Sequence, residues 1–491
     1  MAVIRINTQQ HKGVVALQPG RSVAEQLLEA GYDVPYTCGG NGTCGKCRIK
    51  ADGVWQQACR LYPAEDITIT EFAWEEDVKM RIVEDVMCEV QGSSCVNKTV
   101  SCIMAVDIGT TTLAAALVDR ESGAVLGTKS RVNSQQRYGA DVLSRIRASV
   151  SGEREALQRC IQEDIRSIIG AFGAERKDCR IEHIYIAGNT TMEHLFMGDS
   201  CERLGQAPFE PVSLRERQSV LEGIPVTLLA GISAFVGADI TAGLLECGFD
   251  KIDKPRLFLD IGTNGEMALG TKAGILTTSA PAGPALEGAN ISCGVGSVEG
   301  AVSKVRIIRD RSIVSTIENK AAVGLCGTGV LETVSELLEN KWIDETGRMH
   351  PAYAGSGYEI ARTKEGKPIV FTQQDIREVQ LAKAAIRSGI DILLEKMNVS
   401  EEEIDKVYLA GGFGTYLDVE KAVRIGLLPK GLKKCTQAVG NTSLKGCIRY
   451  ALYKASSDKM NQIIASAEEI NLAGEEGFAE KYMLHMSFSM C

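Results

Sequence analysis

Histidine is scarce in this chain: there are five among 491 residues, and none sits at a pairwise metal spacing, which argues against a zinc hydrolase. Aromatic side chains make up only 5% of the sequence, and Lys and Arg form no clustered tract in a chain of net charge −9. Phosphate backbones attract clustered basic residues, so no nucleic-acid partner is expected. Long apolar runs are missing too. The longest, from Ile224 to Ala238, is broken by Pro225, Thr227, Gly231, Ser233 and Gly237 and is too short to span a bilayer. The opening Met-Ala-Val-Ile-Arg-Ile-Asn has no signal-peptide core, so the expected location is the cytoplasm, with no membrane partner.

Cysteine, by contrast, is plentiful. Of 16 residues, twelve are scattered from Cys88 to Cys491, as reduced core cysteines of an intracellular protein would be. The other four are packed between Cys38 and Cys59. Their spacing is Cys38-x5-Cys44-x2-Cys47, with Cys59 in Gln57-Ala58-Cys59-Arg60. Iron–sulfur clusters take four thiolates, and plant-type two-iron centres use one long cysteine loop plus a distant fourth ligand. Glycines 39, 40, 42 and 45 let such a loop turn tightly and aim amides at sulfide. A zinc knuckle also wants four cysteines, but usually as two Cys-x2-Cys pairs. Cys88 and Cys95 are substitutes for the fourth ligand, and Trp55 either shields the cluster or simply packs.

Length predicts about three folding units. Residues 3–7 and 13–18 alternate as a hairpin, Ser22 caps a helix running to Glu29, and 48–50 and 67–70 read as closing strands. Together they make a small β-grasp-like module over 1–72. Residues 73–100 read as an acidic linker. Strand–hairpin–helix units follow, dividing into a first lobe, 101–255, a second lobe, 256–455, and a tail, 456–491, that is helical in pattern, with Met483, Met486 and Met490 reading as a loose end. Expected elements include strands at 103–106, 184–187, 257–259 and 407–410, a helix at 157–169, and a long helix from about 375 to 396 capped by Thr372.

Two stretches repeat each other: Val106-Asp107-Ile108-Gly109-Thr110-Thr111-Thr112 and Leu259-Asp260-Ile261-Gly262-Thr263-Asn264-Gly265. Each is an apolar strand ending in Asp-Ile-Gly-Thr. Glycine permits the tight turn and leaves room for a phosphate, and backbone amides and threonine hydroxyls then face its oxygens. The aspartates would repel phosphate directly, so their natural partner is a hydrated Mg²⁺. A third piece, Gly411, Gly412 and Gly414 after the strand 407–410, suits the nucleoside. Hairpin, second hairpin and glycine loop, in that order, resemble the acetate and sugar kinase, heat-shock chaperone and actin superfamily. The resemblance implies a duplicated α/β ATPase of ribonuclease H-like lobes.

The segment from Asp33 to Arg48 resembles the cluster loop of two-iron ferredoxin domains, though the interval from Cys47 to Cys59 is shorter than usual. The two halves together resemble the reductive activators of corrinoid proteins. Further matches are Gly188-Asn189-Thr190-Thr191-Met192, the stretch 237–243, the stretch 280–291, Gly324-Leu325-Cys326-Gly327-Thr328-Gly329 and the helix 380–386. The resemblance implies an α+β, β-grasp ferredoxin-like domain and an actin-like ATPase that reduces inactive Co(II) to Co(I) with ATP. It also implies a corrinoid protein of a methyltransferase system as partner, an electron donor for the cluster, and a homodimer. In this scheme Cys38, Cys44, Cys47 and Cys59 hold a 2Fe-2S cluster. Asp107 and Asp260 hold Mg²⁺ through water; Gly109, Thr110, Thr111, Gly262, Thr263 and Asn264 cradle the phosphates of ATP; and Gly411, Gly412 and Gly414 approach the nucleoside. Glu287 or Asp239 orients the attacking water, with a cap or surface role as the alternative for each. Lys383 could reach phosphate but reads rather as a solvated helix lysine, and His194 reads as structural. Three rivals are an activator of 2-hydroxyacyl-CoA dehydratases, a metabolite kinase with a redox appendage, and a chaperone-like binder with a structural cluster.

Overall fold

The computed structural model describes residues 2–8, 11–30, 32, 34, 40, 42, 47–72, 99–308 and 311–488. Cys38, Cys44, Cys88 and Cys95, and the expected linker apart from its last two residues, lie outside the described residues.

The N-terminal module is a mixed sheet with one helix. Strands β1 (Val3–Asn7) and β2 (Lys12–Ala16) form the hairpin, and helix α1 (Val23–Glu29) follows. Its start is a capping box: Ser22 Oγ accepts from the Glu25 amide at 3.3 Å and Glu25 returns the bond to the Ser22 amide at 2.9 Å. Strands β3 (Arg48–Ala51), β4 (Val54–Gln57) and β5 (Ile67–Phe72) complete the order β2-β1-β5-β3-β4. Ile4, Ile6, Leu27, Ile49 and Ile69 form a core of their own beneath α1.

The first lobe runs β6 (Val100–Ile108), β7 (Thr112–Asp119), β8 (Val125–Val132), α2 (Val142–Ala148), α3 (Arg154–Glu175), β9 (Cys179–Gly188), α4 (Thr190–Met197), β10 (Arg217–Leu221), β11 (Ile224–Leu228) and α5 (Ala238–Glu246). The second begins with β12 (Arg256–Ile261), β13 (Gly265–Thr271) and β14 (Gly274–Ala280). An inserted layer follows: β15 (Ala301–Ile308), β16 (Arg311–Thr316), β17 (Gly324–Leu325), α6 (Gly327–Glu339), β18 (Tyr358–Arg362) and β19 (Pro368–Phe371). Then come α7 (Gln373–Met397), β20 (Lys406–Ala410), α8 (Gly411–Thr415), α9 (Val419–Arg424), β21 (Thr436–Gly440), α10 (Thr442–Leu452), α11 (Ala455–Ser466), β22 (Ala467–Glu469) and α12 (Phe478–Leu484).

The two main sheets have matching orders, β10-β11-β9-β6-β7-β8 and β21-β20-β12-β13-β14-β22. In each, the strand entering an Asp-Ile-Gly turn (β6 or β12) pairs antiparallel with the strand leaving it and parallel with a later strand, β9 or β20. The duplication expected from the repeated motif is therefore topological. Both entering strands are almost continuously buried, as strands covered on both faces must be.

The lobes share a core. Ile103 and Ala105 of the first sheet, Phe258 and Ala268 of the second, Leu244 of α5 and Leu444 and Cys447 of α10 belong to one cluster. A Cβ at Gly446 would come within 1.9 Å of the Ala242 carbonyl, so α5 and α10 touch backbone to backbone. The helical pattern expected over 456–491 is present, and the loose end expected at Met483 and Met486 is corrected. Residues 455–488 add α11, strand β22 paired with β14, and α12, and Phe488 is 2% exposed. Apolar residues spaced through a polar stretch concealed that role.

Candidate functional site

Both hairpins close as the motif requires: the Gly109 amide donates to the Thr112 carbonyl at 3.0 Å, and the Gly262 amide to the Asn264 carbonyl at 2.9 Å. The strands they terminate carry Asp107 and Asp260 into the region between the sheets. Asp107 is held from the other half of the chain. Asn441 Nδ2 donates to it at 2.8 Å and Ser443 Oγ at 2.7 Å, both from the start of α10. Thr263 Oγ1 donates to Glu287 Oε2 at 2.6 Å, and Glu287 ends the short turn Pro284–Glu287. The glycine loop meets the second hairpin. Gly411 has φ 77°, and a Cβ there would stand 2.6 Å from Asp260 Oδ1, so only glycine fits. Gly412 meets nothing within 4 Å at its Cβ position, whereas a Cβ at Gly414 would press on the Leu409 carbonyl at 2.9 Å.

The carboxylates feel one another. Burial, then the charges of Asp107 and Glu287, push Asp260 up to about 7. Burial, then Asp107 and Asp260, push Asp239 up to about 8. Burial likewise raises Asp107, against the pull of Ser443 and Asn441, and raises Glu287 against the pull of Thr263. Four half-buried carboxylates, two of them raised by their neighbours' charge as well as by burial, make a site that a cation would relieve. No three described residues of metal-binding type converge at direct-ligand distance.

The cluster half of the site is described only in part. Cys47 and Cys59 are 1% and 2% exposed, and the Ala58 amide donates to the Cys47 carbonyl at 2.8 Å, drawing their segments together. The β3–β4 register, Arg48 opposite Gln57, does the same. Gly42 has φ 72°, and a Cβ there would collide with Arg60 at 2.1 Å, so the loop needs glycine at this position. Trp55 lies under the Arg48 guanidinium, 5.7 Å from its ring centre.

Comparison with known proteins assigns each part. Residues 7–69 match the 2Fe-2S iron–sulfur cluster binding domain, 102–252 the RACo middle region, and 254–490 the C-terminal domain of RACo, the ASKHA domain. A corrinoid activation enzyme of Eubacterium limosum, RamQ, is 34% identical over 418 residues, covering 78% of this chain and 70% of its own. The chain belongs to the RACo-type reductive activators of corrinoid proteins. A [Co(II) methylated amine-specific corrinoid protein] reductase of Methanosarcina barkeri is 27% identical over 428 residues, 78% of this chain and 76% of that one. The solved structure of a reductive activator for corrinoid, iron–sulfur protein superposes with a TM-score of 0.73 at 25% identity, covering 99% and 98% of the two chains. The first domain of this activator thus carries a 2Fe-2S centre, and its actin-like domain binds ATP.

Asp239 feels the charges of Asp107 and Asp260, and Asp260 those of Asp107 and Glu287. Asp239, for which a surface role was an alternative, faces both hairpin aspartates electrostatically. Lys383 is corrected: it is 1% exposed, sits 5.1 Å from the centre of the Phe488 ring and donates to the Ser487 carbonyl, so it is neither solvated nor a phosphate ligand. His194 is structural, with its ring bonded to the Thr190 carbonyl and the Val212 amide. Sequence reasoning missed Glu266, opposite Asp260 in the β12–β13 register, and Glu193, one oxygen of which has no partner in the structure. Burial and nearby carboxylates raise both well above the ordinary value. Glu266 had a signal: it follows the second Asp-Ile-Gly-Thr motif by three residues, on the returning strand. Asn441 and Ser443 had none.

Proposed function

We propose that the chain reduces the cobalt of a corrinoid protein from Co(II) to Co(I), one electron at a time, in a reaction driven by ATP. The observation that carries this is the joining, on one chain, of a 2Fe-2S domain to a cleft with two phosphate hairpins, in a sequence 34% identical to a corrinoid activation enzyme. When bound, the cluster supplies the electron and the nucleotide supplies the free energy.

The residues divide the work. Cys38, Cys44, Cys47 and Cys59 ligate the cluster. The hairpin amides and hydroxyls of Gly109, Thr110, Thr111, Gly262, Thr263 and Asn264 grip the phosphates from both lobes, and the loop at Gly411, Gly412 and Gly414 lies against the nucleoside. Asp107 and Asp260 orient a hydrated Mg²⁺. Glu287, steadied by Thr263, or Asp239, which feels the charge of both aspartates, orients the attacking water. The drive needed is modest. Each ~60 mV of one-electron deficit costs about 1.4 kcal/mol. A deficit of roughly 250 mV is then about 5.8 kcal/mol, close to the roughly 5.5 kcal/mol of differential binding that swings a two-state equilibrium from 1:99 to 99:1. Nucleotide-dependent grip on the Co(II) partner supplies a bias of that size. An external donor reloads the cluster, and the chain works in the cytoplasm as a homodimer, which sedimentation tests directly.

The deciding experiment mixes the reduced protein with a Co(II) corrinoid protein under anaerobic conditions, with and without MgATP, and follows the cobalt spectrum. Co(I) should appear only with nucleotide. Equal reduction without it would remove the proposal.

A further inference from the structure

Behind the first phosphate hairpin lies a charge that the activity described so far does not use. Arg145, on α2, is 0% exposed and heads the fully buried side chains by volume. Among the described residues its guanidinium bonds only to neutral acceptors. Nε donates to the Gly139 carbonyl at 3.0 Å, Nη2 to the Thr110 carbonyl at 2.5 Å, and Nη1 to Gln135 Oε1 at 3.3 Å and Met192 Sδ at 3.2 Å. The nearest acids are engaged elsewhere. Asp164 is bonded to Arg131 at 2.7 Å and the Ser134 amide at 2.8 Å, and Asp141 caps α2 through the Ser144 amide at 2.7 Å. Burial pulls Arg145 down to about 9, which leaves it charged at neutral pH. A buried cation with no carboxylate in contact is costly to desolvate, so a nearby anion would stabilise it.

Its contacts say which partner. Three successive carbonyls of the hairpin are drawn inward: Gly109 by Asn133 Nδ2 at 2.9 Å, Thr110 by Arg145, and Thr111 by the Asn133 amide at 2.9 Å and Gln136 Nε2 at 3.3 Å. In a planar trans peptide, the N–H lies opposite the carbonyl it is conjugated to. Turning the Gly109 and Thr110 carbonyls inward therefore turns the Thr110 and Thr111 amides outward, and neither donates to a described acceptor. A bond from a cation to a carbonyl also polarises the amide conjugated to it. The Thr110 hydroxyl is fixed as well, by Asn189 Nδ2 at 3.1 Å.

We propose that Arg145 and Asn133 are positioning residues that build an anion cradle: they hold the Gly109–Thr111 hairpin carbonyl-inward, so that its amides and the buried positive charge behind them select a polyphosphate. The inference rests on reading the cleft as a nucleotide site and adds what that reading lacked. It explains how a polyanion enters a cleft already lined by Asp107, Asp239 and Asp260. The ligand chemistry is a chain of phosphates, whether of a nucleoside triphosphate or of inorganic tripolyphosphate.

The test is calorimetric titration of the full, cluster-loaded chain with MgATP, magnesium tripolyphosphate and AMP, alongside ligand-free melting. Arg145→Met should weaken binding of MgATP and tripolyphosphate by about tenfold or more, the loss of one charge-assisted hydrogen bond, and AMP by no more than about threefold. Asn133→Ser adds no charge and offers an acceptor for the Gln135 amide, now 3.0 Å from Asn133 Oδ1, while losing the Nδ2 donation to Gly109. It should show the same phosphate-graded loss and carries the test if Arg145→Met does not fold. Unchanged MgATP affinity in a folded variant, or an equal loss for ATP and AMP, overturns the cradle and leaves the nucleotide reading standing. A parent chain that binds neither MgATP nor tripolyphosphate removes both.

Discussion

Asp107 shows what a single side chain owes to both halves of the molecule. Its position comes from β6, but its orientation comes from Asn441 and Ser443, more than three hundred residues away. Replacing Asp107 with Ala should abolish ATP turnover, a loss of about a thousandfold or more for a group that aligns the charged ligand, and leave the cluster's visible spectrum intact. Phosphate release and absorbance on the same preparation read both, and surviving ATPase activity would remove the assignment. At this scale the sequence was legible where chemistry repeats. Asp107 and Asp260 stand out because the same five-residue grammar occurs twice. Arg145, Asn133, Asn441 and Ser443 did not stand out. Each acts through contacts that only the folded chain creates, and an arginine on a short amphipathic helix reads as a surface residue until its burial is known.

Among the elements, α10 joins the two lobes. It follows β21 of the second sheet, packs backbone to backbone on α5 of the first lobe, and presents Ser443 to the first hairpin. Ser443→Ala should lower ATP turnover about tenfold by loosening Asp107, while Ser443→Thr, which keeps the hydroxyl, should recover most of it. A matching loss of melting temperature in the Ala variant alone would instead mark Ser443 as a packing residue. The C-terminal segment is a second such element. Gln380 reaches the Met486 carbonyl at 2.5 Å, Lys383 the Ser487 carbonyl, and His485 bonds Asp391 at 2.7 Å, so the strap closes over α7. Burial alone would raise Asp391, but His485 and Arg387 outweigh it and hold the carboxyl below its ordinary 3.8. A depressed carboxylate stabilises the fold above its unfolded pKa and loses that contribution as pH falls through the folded one. The stability gap between the parent and Asp391→Asn, measured by denaturant titration, should therefore be full at pH 6 and shrink toward pH 3. Secondary structure here was legible wherever a cap or a buried strand announced it, as at Ser22, Thr372 and β12. The strap was not, because its apolar residues are few and their partners lie on a helix a hundred residues earlier.

For the whole molecule the question is whether the two chemistries are separable. The N-terminal sheet has a core distinct from those of the ATPase lobes, built on Ile4, Leu27, Ile49 and Ile69, with Cys47 and Cys59 inside it. Both carboxylate-bearing hairpins belong to the other cores. Perturbations at sites without shared partners add independently. Cys59→Ser should therefore strip or weaken the iron centre and leave ATP turnover within about twofold of the parent. Cobalt reduction should nonetheless be lost, because the electron has no carrier while the nucleotide engine runs on. Iron content, phosphate release and the Co(I) spectrum from one anaerobic preparation read all three quantities. If the iron-free variant still delivered Co(I) when supplied with MgATP and a chemical reductant, electrons would be reaching cobalt without the cluster. The chain would then act on its partner as a nucleotide-driven binder, and the cysteine loop would be only a structural staple.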